Sequence, residues 1–271
     1  MAGVFYTDFN QRQEVVPRLL DAAGLASCLF ASERNKRVPV LIKPNLVNDS
    51  PFPITTPLWI VKEVVSYIRS IDSKREIVIA EGTGQPDTET LALFAHHGYT
   101  KISGVDFIDL NNAKCKVIAL PEGRKWKKVY IPEVVLDFFV ISMPVLKAHT
   151  LAQVTLSMKN MIGVCPPKYY QADGFWRKSA FHTQIHEAIV DLNEASAPNF
   201  CVLDATVGLC KSHLSGPRCS PAVNKIAASA DPVALDALGA FFLGKNWKDI
   251  GHIKMANGII GRVDTPCTKI D

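Results

Sequence analysis

Apolar and polar positions along the chain follow two periods in turn, and the succession predicts alternating strands and helices. Short runs rich in aliphatic and β-branched residues fall at Val38–Ile42, Glu76–Ala80, Asp106–Leu110, Asp137–Met143, Phe200–Leu203 and Lys225–Ala228. Several are apolar throughout, as expected of strands covered on both faces of a largely parallel sheet. Between them, apolar residues recur at three- and four-residue steps over Gln11–Ala23, Thr56–Ser70, Thr88–His96, His182–Glu194 and Pro232–Leu243, which predicts helices. Asp231 before Pro232 suits an N-cap followed by proline at the first helical position, and Asp87 with Thr88 suits a helix start after the Gly82–Gly84 loop. Lys114–Leu120 and Lys127–Ile131, joined across Pro121-Glu122-Gly123, read as a β-hairpin on an edge or insertion. Pro166 to Ser179 shows no period and reads as a long loop near the functional site. The expectation is an α/β fold: one domain over residues 1–271, its core near 38–244, with a largely parallel sheet flanked by helices and a hairpin insertion near 113–131.

Composition narrows the class without naming a function. A chain of 271 residues, 48% apolar and 21% charged, can bury a sizeable core and has no need of long disorder. The strongest apolar run, Val134 to Leu146, is interrupted by Asp137 and is shorter than the ~20 residues that span a bilayer. Met1 to Asn10 carries no basic segment followed by an apolar stretch, so a cytoplasmic protein without a membrane partner is expected. Seven cysteines with no C-x-x-C pair fit reduced thiols better than a disulfide framework or a zinc ribbon. Cys201, Cys210 and Cys219 are equally spaced, but the first falls in or beside a predicted strand, which favours core thiols. The net charge of +4 is modest, and the densest basic stretch, Arg124 to Lys128, encloses Trp126 like a solvated hairpin edge. Nucleic-acid recognition would need a broader basic face.

The informative pattern is where the unusual polar residues fall. In open α/β sheets ligands bind outside the carboxyl ends of the strands. Lys43-Pro44-Asn45 follows the first predicted strand, Glu81-Gly82-Thr83-Gly84 the second and Lys147-Ala148-His149-Thr150 the fourth, while Asp204 follows Phe200–Leu203 and Ser229-Ala230-Asp231 the last. Lys43 and Lys147 are read as anion binders rather than solvated loop lysines. The Glu81–Gly84 loop is a tight turn or a backbone cradle for an anion, and lacks the full G-x-G-x-x-G fingerprint. Asp204 is a cap, or it binds a metal or a substrate hydroxyl. Lys159 and Asn160 are carried into the same neighbourhood, and a lysine in a half-buried pocket can serve as nucleophile, base or attachment point. His182 and His186 stand at i and i+4 on one predicted helix, a spacing that would put both imidazoles on one face as a metal pair, or leave His186 facing solvent or core. His96, His97, His213 and His252 lack converging partners and are read as structural.

Taken in order, these residues resemble the domain-of-unknown-function 362 family. The resemblance rests on Lys43-Pro44-Asn45, Thr55-Thr56-Pro57, Glu81-Gly82-Thr83-Gly84, Pro144-Val145-Leu146-Lys147-Ala148-His149, Lys159-Asn160-Met161-Ile162-Gly163, Asp204 with Gly208, Gly216-Pro217 and Ala228 to Asp236, spanning about Val38 to Gly244. It implies a family often found beside or fused to iron–sulfur modules and with no agreed reaction. This chain has no C-x-x-C-x-x-C run, so a cluster would come from a partner or from scattered cysteines. A fainter similarity is to lactate racemase, whose nickel-pincer cofactor is attached to a lysine ten residues after a catalytic histidine. His149 and Lys159 have that spacing, although Ser157-Met158 stands where that family has a glycine pair. This similarity implies His149 as proton carrier, Lys159 as cofactor attachment and His182 as a metal ligand.

Two function classes follow. In the first, a small anionic ligand or phosphorylated cofactor sits among Lys43, Asn45, Glu81, Thr83, Lys147, Asn160 and Asp204, with His149 and Lys159 as the catalytic pair. In the second, an accessory protein handles a metal or iron–sulfur cluster through His182, Asp204 and Cys201, Cys210 or Cys219, and docks to a ferredoxin-like redox partner.

Overall fold

Alternation within each strand decides how the sheet is covered. The computed structural model describes residues 3–9 and 14–271. Its strands are β1 (Val4–Asp8), β2 (Val40–Pro44), β3 (Ile77–Glu81), β4 (Asp106–Asp109), β5 (Cys115–Ala119), β6 (Lys128–Pro132), β7 (Phe139–Met143), β8 (Val145–His149), β9 (Gln153–Thr155), β10 (Phe200–Leu209), β11 (Lys225–Ser229) and β12 (Cys267–Lys269). The α-helices are α1 (Val15–Ala22), α2 (Leu25–Leu29), α3 (Glu33–Arg37), α4 (Leu58–Ile71), α5 (Thr90–His96), α6 (Glu133–Asp137), α7 (Ser157–Asn160), α8 (Pro167–Tyr170), α9 (Ile185–Ser196), α10 (Pro232–Phe242) and α11 (Gly251–Ala256).

Ten strands form one mixed, mostly parallel sheet in the order β12-β1-β11-β10-β7-β2-β3-β4, with β8 joined to β10 and β9. The pairs β10/β7, β7/β2, β2/β3 and β3/β4 are parallel, whereas β11 runs antiparallel to both β1 and β10. Val40, Ile42, Ile77, Ile79, Ile141 and Val202 pack on one side with Leu19 and Leu20 of α1 and Ile60, Val64 and Ile68 of α4. The residues between them point the other way. Leu41, Val78, Ala80 and Val140 meet Ala188 and Leu192 of α9 together with Val129 and Ile131 of the hairpin β5–β6, while Cys201, Leu203 and Ala205 meet α10 and α11. Burial on both faces explains why these strands read as unbroken apolar runs.

The expected fold class, flanking helices and hairpin are all present. Asp231 caps α10 as expected, its Oδ1 accepting the amides of Val233 and Ala234 at 2.9 and 3.0 Å. Gln11–Gln13 of the first expected helix lie outside the described residues. Asp87 does not open α5: it has a left-handed φ of 53°, and the helix begins at Thr90. Strands β1, β8, β9 and β12 are additions, each short or half polar and so without a clear period.

The addition that matters is β8. Pro144 has no N–H to give a ladder, so it divides β7 from β8. β7 pairs with β2, and β8 instead pairs with the far half of β10 and with β9. The β8–β9 pair therefore extends the carboxyl edge of the sheet beside the ends of β2 and β3. Among the described residues, no helix is long and apolar enough to cross a membrane.

Candidate functional site

The ends of β2, β3 and β8, the turn α7 and the segment around residues 176–182 enclose a cavity of about 260 Å³. Its lining includes Lys43, Asn45, Glu81, Lys147, His149, Lys159, Asn160, Lys178, His182 and His213, with Ile162, Trp176, Phe181 and Ile185 as apolar wall. Four lysines thus face one carboxylate.

That carboxylate is heavily used. Glu81 Oε2 accepts Lys43 Nζ at 2.7 Å and the Leu46 amide at 3.2 Å, and its Oε1 accepts the Gly82 amide at 2.9 Å. Lys43 Nζ also donates to Pro44 O and to Asn160 Oδ1, at 3.0 and 3.2 Å, so its three protons are committed. Asn160 Nδ2 donates to Lys43 O and Ser142 Oγ, and Asn160 Oδ1 also accepts from Asn45 Nδ2. Asn45 Oδ1 in turn accepts Lys147 Nζ at 2.6 Å, and Ile54 O takes a second proton of that lysine at 2.6 Å. The chain Glu81–Lys43–Asn160–Asn45–Lys147 is one continuous polar network on the cavity floor. Burial lowers the pKa of Lys43 despite Glu81. It lowers Lys147 well below the ordinary value, and the charge of Lys159 adds to the effect.

Gly163 lets this network close. A Cβ there would overlap Glu81 Oε1 and stand 2.5 Å from Lys43 Nζ, so only a hydrogen fits. Its carbonyl accepts Lys178 Nζ at 2.7 Å, and Gly82 O accepts the same ammonium at 2.6 Å. Burial pushes Lys178 down to about 8.

Lys159 differs from these three. It sits in α7, whose first two amides are held by Asp236, Ser157 N at 2.7 Å from Oδ1 and Met158 N at 3.0 Å from Oδ2. Among the described residues its Nζ has neither a hydrogen-bond acceptor nor an ion-pair partner, and burial pushes its pKa down to about 8.

His149 has a fixed tautomer. Its Nδ1 accepts the amides of Leu151 and Ala152, both at 3.1 Å, so the ring proton sits on Nε2. Burial, then the neighbouring lysine and imidazoles, hold it neutral far below its usual range. A second proton would have to go onto Nδ1 against two N–H donors. His149 is therefore built to donate a hydrogen bond from Nε2 rather than to pick up a proton. His213 stacks on it with ring centroids 4.0 Å apart and is pushed down to about 3 by burial.

Of the residues read from the sequence, Lys43, Asn45, Glu81, Lys147, His149, Lys159, Asn160 and His182 line the cavity. Thr83 and Asp204 do not. Thr83 is fully buried and braces the loop after β3, donating to Val47 O at 2.9 Å and accepting the Gln85 amide. Asp204 lies midway along β10, which runs to Leu209 rather than ending at Leu203, and its Oδ1 accepts the amide and hydroxyl of Thr206. Burial raises it to about 6, and its Oδ2 has no hydrogen-bond partner among the described residues. The His182–His186 pair is also corrected. Gln184 takes a left-handed φ of 47°, so the helix starts at Ile185 and the two imidazoles do not share one helical face. His186 instead meets His252, Nδ1 to Nδ1 at 3.0 Å.

Sequence reasoning missed Lys178, Trp176 and His213. The first two lie in the aperiodic loop, and His213 lies between Cys210 and Cys219 with no nearby partner in sequence. The metal reading finds no donor set among the described residues, where no group of three His, Cys, Asp or Glu side chains is placed to hold one metal ion. Cys201 is buried in β10, against an exposed Cys210 and a half-buried Cys219.

Residues 40–241 match the family described as domain of unknown function (DUF362). The match covers most of the chain, including every strand and loop that builds the cavity, and the protein belongs to this family. No curated protein matches it.

Proposed function

We propose that the cavity binds a small organic anion carrying more than one negative charge. The observation that carries this reading is the imbalance of four lysines against a single, fully engaged glutamate within one cavity. Enclosed cations of one sign raise the local concentration of anions, and low-polarity walls strengthen the effect. Lys147 and Lys178 each give two protons to the protein and keep a third, and His149 offers Nε2–H. A volume of 260 Å³ is that of about nine waters at ~30 Å³ each, which suits a compact dicarboxylate or phosphate ester and is small for a dinucleotide.

Thermal unfolding with malonate and with inorganic phosphate tests this. A ligand at 100 times its Kd stabilises by about 2.7 kcal/mol, which in a chain of this size raises Tm by several degrees. A saturable rise that Lys147→Met reduces is the expected result. No rise with either anion at millimolar concentration, in a protein that unfolds cooperatively, would overturn the reading.

A further inference from the structure

We infer that Lys159 forms an imine with a ligand that carries a carbonyl beside its negative charge, the class of small oxo acids. This rests on the anion-binding reading above and adds a covalent step to it.

The division of labour among the lysines carries the inference. Lys43 gives three hydrogen bonds to the protein, and Lys147 and Lys178 give two each. These three ammonium groups are held in place by the protein. Lys159 has no acceptor among the described residues, although it lines the same cavity. Its backbone is nevertheless held: Asp236 fixes the two amides before it, and the side chain of Asn160 just after it is tied to Lys43 O and Ser142 Oγ. An unpaired amine on an anchored turn, among three anchored cations, is the arrangement that turns a bound anion's carbonyl toward a nucleophile. Among the described residues, no aspartate or glutamate pairs with Lys159 to keep it charged. Burial works in the same direction, with a pKa near 8 leaving about a tenth of the amine neutral at pH 7 and about half at pH 8.

The step balances without a further reagent. The nitrogen lone pair of neutral Lys159 adds to the carbonyl carbon, and the π pair moves to oxygen. One nitrogen proton passes through cavity water to that oxygen, giving a carbinolamine. The hydroxyl then leaves as water with the second nitrogen proton, and the C=N bond forms. Lys147 and Lys178 hold the carboxylate throughout, and the apolar wall of Ile162, Phe181 and Ile185 limits hydrolysis by bulk solvent.

Glyoxylate with borohydride is the probe, followed by digestion and mass mapping of every lysine. Reduction of the imine leaves a carboxymethyl group on the lysine that formed it. The expected result is carboxymethylation of Lys159 well ahead of exposed Lys114 and Lys168, slowed by malonate. The uncharged glycolaldehyde should lose this preference. Lys159→Arg should show no site-selective adduct at any lysine. If malonate stabilises the protein but Lys159 reacts no faster than Lys168, the imine falls and the anion site stands. If malonate neither stabilises nor protects, both fall.

Discussion

Lys159 and Lys168 lie nine residues apart in the chain, yet their surroundings give them different chemistry. Lys168 is exposed in α8 with its ammonium 5.2 Å from the Tyr169 ring, whereas Lys159 faces the cavity with its pKa pushed down to about 8. An amine-selective acylating reagent near neutral pH should therefore mark Lys159 before Lys168, with malonate slowing only the former. Equal rates, unaffected by malonate, would place Lys159 among ordinary surface lysines. The same shift gives the sign of a pH effect. Below about pH 8 Lys159 and Lys178 are charged and attract the anion; above it those charges are lost, so malonate affinity should fall as pH rises through 8. Titration calorimetry across pH 7–9 reads this, and an affinity that held steady or rose would contradict it. At this scale the sequence was legible wherever a polar residue followed an apolar run at a true strand end, as with Lys43 and Glu81. The same cue misled at Asp204, because a polar residue inside a strand looks like one just beyond it. Lys178 and His213 were not legible, because only the folded chain brings Lys178 to Gly82, 96 positions earlier, and His213 to His149, 64 positions earlier.

Among the elements, β7 and the Gly163 turn bear most directly on the site. β7 lies between β2 and β10 in the interior of the sheet, and Ile141 is fully buried against the α1 and α4 side. Ile141→Ala removes buried methyls and leaves a cavity between rigid neighbours, so a loss of about 2–5 kcal/mol is expected in urea unfolding. A loss below about 1 kcal/mol would mean that the position relaxes like an edge. Gly163→Ala acts on the network instead. Its methyl would displace Glu81 or Lys43, both part of the buried network, at a cost of roughly 1–3 kcal/mol for overpacking. The variant should fold and bind malonate more weakly; unchanged malonate stabilisation would show that the Lys43–Glu81 geometry does not matter to the site. The parallel strands were legible because burial on both faces leaves an apolar run that few helices share at that length. β8 was not, because Lys147 and His149 make it look like a polar loop after β7. Its partners are β9 and the far half of β10, and neither can be read from local pattern.

Over the whole molecule, buried ionisable groups set how stability responds to acid. Burial holds His149, His213 and His252 neutral well below the ordinary imidazole range, with His213 and His252 each near 3. Unfolded, each binds a proton below about pH 6.5, so between pH 4 and 6 the unfolded chain holds about three more protons at these positions. Two buried carboxyls oppose this. Asp204 is raised to about 6 and Asp236 to about 7, so in the same range the folded chain keeps about two protons that the unfolded chain releases. Three taken up by the unfolded state less two kept by the folded state leaves about one, and the sign follows: stability rises with pH from 4 to 6. One proton corresponds to about 1.4 kcal/mol per pH unit, and Asp8, lowered by Lys225 and Lys269, adds in the same direction. Urea unfolding at a series of pH values measures this slope. His252→Gln removes one of the three imidazoles and should flatten the rise, while Asp204→Asn removes one opposing carboxyl and should steepen it. A wild-type stability that stayed level or declined between pH 4 and 6, or variants that moved the slope the other way, would mean that these histidines gain their protons without unfolding, by opening the cavity locally to water.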